Sequence, residues 1–238
     1  IVITGIEQNF YFKQLYKILE ILGFKKKLTH ISYGLITLPD GKMSSRSGNV
    51  ILYEDLRDSI FEKMYAETAP RHPEWTEEKL KDTVSKLTQA ALKFTIQKHE
   101  AAKNIVFDME MATSFDGFSG PYVLYVVARI NSLIRKSSTF GRAGDLSLLQ
   151  TSEEKKLLLF IADYEEIIKK SLENYNPSVI AKYSFDLAQA FNEFYNNQSI
   201  LTAESEGLIA ARVQLCVAVQ TVLKNALSLL TIDTVEEM

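Results

Sequence analysis

The chain has 238 residues, 46% apolar and 24% charged, the composition of a globular protein long enough to bury one large core or two ordinary ones. Its formal net charge of −3 excludes a generally basic nucleic-acid coat, so any RNA contact must come from a local patch of Lys and Arg. The single cysteine, Cys216, excludes a disulfide framework within the chain and reads as a buried thiol in the apolar run Val213 to Val222. No apolar run reaches the roughly 18 residues of a membrane span, and no basic-then-apolar signal opens the chain. These features point to the cytoplasm. The start on Ile1-Val2-Ile3-Thr4, without Met, reads as part of a longer protein.

In chain order, Ile1 to Thr4 is β-branched and ends at Gly5, the pattern of a buried strand whose carboxyl end is functional. A helix follows, with Asn9 as cap, Phe12, Leu15, Ile18, Leu19 and Leu22 at helical spacing, and Gly23 as the stop. In an open α/β sheet the loop Gly5-Ile6-Glu7-Gln8 would lie where a small polar ligand binds, although Glu7 and Gln8 read equally well as solvated loop residues. Lys25 to Lys27 is a solvated cluster at a helix end. Ile31 to Leu38 reads as a second strand, where Gly34 marks a bulge or the close approach of a ligand to the backbone.

Asp40 to Asn49 follows, with two glycines, three serines and two cations, a composition suited to phosphate or to a solvated turn. It is not a P-loop. Six residues separate Gly34 from Gly41-Lys42 where that motif has four, and Met43 stands where it needs Ser or Thr. The Lys42 ammonium can follow negative charge as it develops on a phosphate, with Ser44 and Ser45 adding hydroxyl donors. Gly41 and Gly48 let the backbone approach and move.

After Val50-Ile51-Leu52, Leu56, Ile60 and Met64 keep helical spacing, and from Arg57 onward the chain turns α. Pro70 and Pro73 break it. Thr76 then caps a helix carrying Leu80, Val84, Leu87, Ala91 and Phe94. Asn104 to Phe115 shows little periodicity and runs into Asp116-Gly117-Phe118-Ser119-Gly120-Pro121, a turn-rich junction. Pro121 suits the first turn of a helix with Leu124, Val127, Ile130 and Ile134 on its apolar face. Thr151 and Glu154 form a capping-box pattern ahead of Leu157, Ile161, Tyr164 and Ile168. Asn176-Pro177 opens a helix with Ile180, Tyr183, Leu187 and Phe191, and the segment from about Ala203 to Leu230 is apolar on most faces, as a central bundle helix would be. The fold class is mainly α with a partial α/β unit in front.

The string Asp40 to Val50, Lys-Met-Ser-Ser-Arg-Ser-Gly-Asn at its heart, resembles the KMSKS signature of class I aminoacyl-tRNA synthetases in the form found in arginyl-tRNA synthetases, over eleven consecutive positions. The resemblance continues at Gly5 to Gln8, His30 to Leu35, Asp116 to Arg129, Asn192 to Tyr195 and Glu236 to Met238, in the family's order. It implies a C-terminal piece of a Rossmann-type nucleotide-binding domain at 1–55, a helical connecting region at 56–116 and an anticodon-binding α-helical bundle at 117–238. It implies ATP contacts at Gly5, Glu7, His30, Gly34, Leu35, Lys42 and Met43, arginine recognition at Gln8, and catalytic roles for Lys42, Ser44, Ser45 and Arg46. ATP with Mg2+, arginine and an arginine-specific tRNA are the implied partners of a monomeric ligase that needs its tRNA for the first step.

For the RNA, Tyr195 is the leading residue to stack on an anticodon base, beside Met238; its alternative is a core position with the hydroxyl at the rim. Tyr122 belongs to the same resemblance. Arg129 and Arg212 are candidate phosphate contacts or, as is common for helical arginines, surface ion-pair members. Two departures from the family pattern stand out. Ser45 replaces the second lysine, with Arg46 as an imperfect substitute, and no His-x-Gly-His element occurs. His30, His72 and His99 are isolated and lack metal-site spacing, so no metal ligand is assigned. The rival readings are a non-catalytic tRNA-binding module, which absence of that histidine element from the whole gene product would favour, and a class I synthetase of cysteine or methionine type, which Ser45-Arg46 and the lack of clustered cysteines disfavour.

Overall fold

A computed structural model describes residues 1–39 and 52–238. Strand β1 (Val2–Gly5) pairs in parallel with β2 (His30–Tyr33), Val2 opposite His30 and Gly5 opposite Tyr33. Parallel pairing needs a crossover, supplied by a short 3-10 turn over Ile6–Gln8 and helix α1 (Asn9–Ile21). The glycine stop is present. Gly23 has φ +85° and donates to the Glu20 carbonyl at 3.0 Å, while Phe24 donates to Leu19 at 2.9 Å. Asn9 does not cap, because the 3-10 turn runs directly into the helix and makes it the first helical residue. Nor is β1 buried: Ile3 is 64% exposed and α1 buries no residue fully. Two strands and one helix leave most of this unit's apolar surface uncovered among the described residues.

The second expected strand is split at its glycine. After β2 the chain pivots, and β3 (Ile36–Thr37) pairs in parallel with β4 (Ile105–Val106) in a separate sheet. At the pivot Gly34 donates to the Ala101 carbonyl at 2.8 Å and Leu35 to Asn104 Oδ1 at 2.9 Å. A Cβ on Gly34 would run into the Lys103 carbonyl and lie 2.8 Å from the Asn104 nitrogen. The close approach read from Gly34 is therefore made by the chain's own backbone. Asn104 to Phe115, aperiodic in sequence, contains β4 and α4 (Met109–Thr113), whose cap Asp108 accepts from the Met111 amide at 3.0 Å. Elements of two and five residues are too short to display a period.

Val50 and Ile51 lie outside the described residues, and Leu52 stands just before α2 (Tyr53–Thr68). The helices then start where the capping residues indicate. Thr76 caps α3 (Glu77–Gln97) and Ser119 caps α5 (Gly120–Lys136), with Pro121 in the first turn. Thr151 and Glu154 make both bonds of a capping box on α6 (Ser152–Glu173), at 3.3 and 2.8 Å. Asn176 Oδ1 accepts from the Ser178 amide at the start of α7 (Ser178–Asn197), and Ser205 caps α8 (Glu206–Leu229). The expected apolar faces are buried: Leu80, Val84, Leu87, Ala91 and Phe94 in α3, Leu124, Val127 and Ile130 in α5, and Ile180, Leu187 and Phe191 in α7.

Helix α8 packs on α5, α6 and α7, the central place its all-round apolarity requires. By length and composition it would pass for a membrane span, contrary to the expectation from the sequence, but half of its apolar window is buried in the bundle. One buried apolar cluster runs from Ile60 and Met64 in α2 through α3, α5 and α7 to α8. The connecting helices and the bundle thus share a core.

Candidate functional site

The loop residues Lys42, Met43, Ser44, Ser45 and Arg46 lie outside the described residues. Among the described residues, the expected nucleotide and amino-acid contacts take definite places. Gly5 is the buried last residue of β1, and the exposed Glu7 folds back over it, its carboxylate occupying the space a Cβ on Gly5 would need. Gln8 is exposed at the head of α1. On the adjoining strand His30 Nε2 is bonded to Thr4 Oγ1 at 2.7 Å, and its ring stacks on Phe12 with centroids 4.5 Å apart. The backbone N–H groups of Gly34 and Leu35, and the Leu35 carbonyl, are engaged by Ala101, Asn104 and Ile105. Gly5, Glu7 and Gln8 therefore lie at the carboxyl end of β1, whereas His30 opens β2 opposite Val2 and approaches that end only through its side-chain bond to Thr4; Gly34 and Leu35 tie the link between β2 and β3 to residues 101–105. Among the described residues no group of three or more His, Cys, Asp or Glu is placed to hold a metal ion.

The bundle presents a second candidate site, a cavity of about 510 Å³ lined by Arg129, Arg135 and Lys136 from α5, Tyr195 and Gln198 at the end of α7, and Met238. Helix α5 ends there with two cations, as its dipole favours. Tyr195 is 40% exposed, so its ring is at the surface and not in the core. The Arg129 guanidinium lies between two tyrosines, 4.6 Å from the Tyr125 ring centroid and 4.9 Å from that of Tyr195. Its Nη1 donates to Asn192 Oδ1 at 2.7 Å and its Nη2 to the Tyr125 hydroxyl, while Asn192 Nδ2 donates to the Tyr122 hydroxyl at 2.9 Å. Tyr122 thus stands behind the cavity as a support for Asn192, and Arg129 braces the Tyr195 ring in addition to carrying charge.

The C-terminal segment closes one side of the cavity. Asn131 Nδ2 donates to the Val235 and Glu236 carbonyls at 3.1 Å each, and Glu237 pairs with Lys79 at 2.5 Å and Arg135 at 3.2 Å. Lys79, and less strongly Arg135, hold the Glu237 carboxyl below its usual range. Tyr125, Asn192 and Glu237 stand in the stretches that carry the resemblance, and Gln198 lies close to Tyr195, but sequence reasoning gave none of them a place in the site. The signals were present as Tyr125 four residues before Arg129 and Asn192 three before Tyr195, spacings that share a helix face.

Arg212 requires a correction. It is 6% exposed, and its guanidinium meets Glu154, the Ser199 carbonyl and Gln198 inside the bundle. It is neither a surface ion-pair member nor presented to an RNA phosphate.

Residues 123–238 match the DALR anticodon binding domain, and residues 1–109 match the class I (R) tRNA synthetase catalytic domain. Over 242 aligned residues the chain is 37% identical to an arginine–tRNA ligase of Clostridium perfringens, covering all of this chain and 42% of that protein. The chain belongs to the arginyl-tRNA synthetase family.

An arginine–tRNA ligase of Phocaeicola vulgatus is 35% identical over 246 residues, covering 41% of its length, so the chain spans about two fifths of these relatives. Among solved structures, the arginyl-tRNA synthetase of Thermus thermophilus superposes with a TM-score of 0.89 at 30% identity, over 99% of this chain and 40% of that one. The enzyme of Plasmodium falciparum, at 21% identity and a TM-score of 0.82, shares the fold. The family assignment does not favour a non-catalytic module.

Proposed function

We propose that this chain is the portion of an arginine–tRNA ligase that carries the ATP-closing loop and reads the anticodon. The observation supporting the second role is the cavity that gathers Arg129, Tyr195 and Met238 from segments far apart in sequence, with the partly exposed Tyr195 ring available to stack on a base. The first role rests on the Lys-Met-Ser string and on the placement of Gly5, Glu7 and Gln8 at the carboxyl end of β1, with the His30 side chain bonded to the neighbouring Thr4.

The reaction is two-step. The arginine carboxylate attacks the α-phosphate of ATP, pyrophosphate leaves, and the activated arginine passes to the terminal ribose of its tRNA with release of AMP. Lys42, with Ser44, Ser45 and Arg46, stabilises the leaving pyrophosphate as its charge develops, and Met43 is the further ATP contact that the family resemblance implies. Magnesium travels with the ATP phosphates and supplies further charge neutralisation there. Gln8 contributes to holding arginine, and no protein nucleophile is needed. We take the protein to be a cytoplasmic monomer, divided near residues 55 and 116 into the nucleotide-binding piece, the connecting helices and the anticodon-binding bundle.

The test is binding of a fluorescently labelled transcript of an arginine-accepting tRNA. Tyr195→Ala should weaken binding by about tenfold, from the loss of one base stack, and Tyr195→Phe should retain it. Equal affinity for Tyr195→Ala and the parent would remove Tyr195 from the RNA interface.

A further inference from the structure

We infer that the buried Glu154–Arg212 pair is a positioning device that holds the α7–α8 turn, residues 198–201, as one wall of the base-reading cavity. This rests on the reading of that cavity as the RNA site. Glu154 is fully buried and Arg212 nearly so, with Nε 2.7 Å from Oε1. Burying two charges carries a desolvation penalty that an apolar pair would avoid, so stability alone is a poor reason for the pair. The capping box does not require it either, since the other carboxylate oxygen, Oε2, accepts from the Thr151 amide at 2.8 Å.

What the pair adds is a fixed direction. From α8, the planar guanidinium bonds the first turn of α6 through Nε, the Ser199 carbonyl through Nη1 at 2.9 Å and Gln198 Oε1 through Nη2 at 3.1 Å. The Gln198 amide is held from its other end by Glu153, which accepts from Nε2 at 3.5 Å and from Asn197 Nδ2 at 3.0 Å. Gln198, Ile200 and Leu201 line the cavity with Tyr195, so this anchor sets the spacing between the stacking face and the opposite polar edge. An ammonium cannot point three ways at once with a planar fork, which separates Arg212→Lys from a simple loss of charge.

The experiment uses the 238-residue chain with two transcripts: a tRNA carrying an arginine anticodon and the same tRNA with the anticodon replaced. Arg212→Lys should lower the affinity ratio between them about tenfold, and in a Tyr195→Ala background the same substitution should produce no further loss, because both act through one cavity. Amide exchange at residues 198–201 should speed up while the middle of α8 stays protected. Glu154→Gln keeps the cap acceptor and the shape, and serves if Arg212→Lys does not fold. An unchanged ratio for Arg212→Lys alongside a clear loss for Tyr195→Ala would overturn the proposal and leave the cavity reading intact. Losses that add in the double variant, or unchanged exchange at 198–201, would also overturn it. If Tyr195→Ala itself leaves the ratio unchanged, the cavity reading has failed and the proposal falls with it.

Discussion

Arg129 and Arg212 are both helical arginines next to alanine in apolar surroundings, and their local sequence does not distinguish them. The fold does. Arg129 faces a cavity between two tyrosine rings, and Arg212 is buried against a carboxylate 58 residues earlier in the chain. The surface position of Tyr195 was legible from an aromatic at a helix end beside Asn and Gln, and its 40% exposure sets aside the alternative of a core position. The ion pair was not legible, because a contact between helices has no period. Burial alone would raise Glu154, but bonds from the Thr151 amide and then from Arg212 outweigh it and hold the carboxyl below its ordinary 4.5. A folded-state value below the unfolded one contributes stability that is complete above about 4.5 and lost as pH falls through the folded value. Melting temperature should therefore fall below that pH, and Glu154→Gln should melt lower at neutral pH but with a shallower acid decline. Several exposed carboxylates share the downward shift, yet solvent screens them, so the difference between the two slopes isolates Glu154. Parallel slopes in calorimetric melts would show that the pair does not titrate as described. Cys216, fully buried and pushed up to about 12, should react with thiol reagents only on unfolding.

At the scale of elements, the long helices were readable because cap, apolar stripe and stop agree, as in Thr76 ahead of α3 and the Thr151–Glu154 box ahead of α6. The strands were less so. β3 and β4 are two residues each, and what defines them is pairing with one another across about seventy positions, which leaves no local pattern. Glycines were placed correctly and explained incompletely. Gly34 is needed where the chain meets its own backbone at Lys103, and Gly120, read as part of a turn, lets α5 approach α3 so closely that a Cβ would strike the Ala90 carbonyl. Gly120→Ala should cost about 1–3 kcal/mol by overpacking, a fall of about 3–10 °C in melting temperature for a chain of this size. Thr151→Ala, which removes one cap bond at the head of α6, should cost about 1 kcal/mol. If thermal denaturation ranks Gly120→Ala as the milder of the two, the α3–α5 contact is looser than the geometry indicates.

For the whole molecule, the decisive question is how much chemistry these 238 residues carry. On the proposed function, the Lys-Met-Ser string would supply cationic and hydroxyl groups for a departing pyrophosphate, but the resemblance to class I synthetases also implies a His-x-Gly-His element, and none occurs in these 238 residues. The three histidines do not substitute for it. His30 is bonded to Thr4 and stacked on Phe12, His72 is stacked on Trp75 with centroids 3.9 Å apart, and burial followed by the charges of Lys98 and Lys103 lowers His99. Much of the small α/β unit's apolar surface, Ile3 and the outer face of α1 among it, also has no cover among the described residues, whereas the connecting helices and the bundle close a shared core. The two functions should therefore separate. The isolated polypeptide should bind an arginine-accepting tRNA through the bundle, with a salt-dependent affinity, and should not support pyrophosphate exchange into ATP when arginine and that tRNA are supplied. Radiolabelled pyrophosphate exchange at saturating substrates measures the second property and filter binding the first. Exchange at a rate near that of a complete family member would mean that activation proceeds without the histidine element; loss of tRNA binding with an intact circular-dichroism spectrum would mean that the bundle does not read RNA unaided.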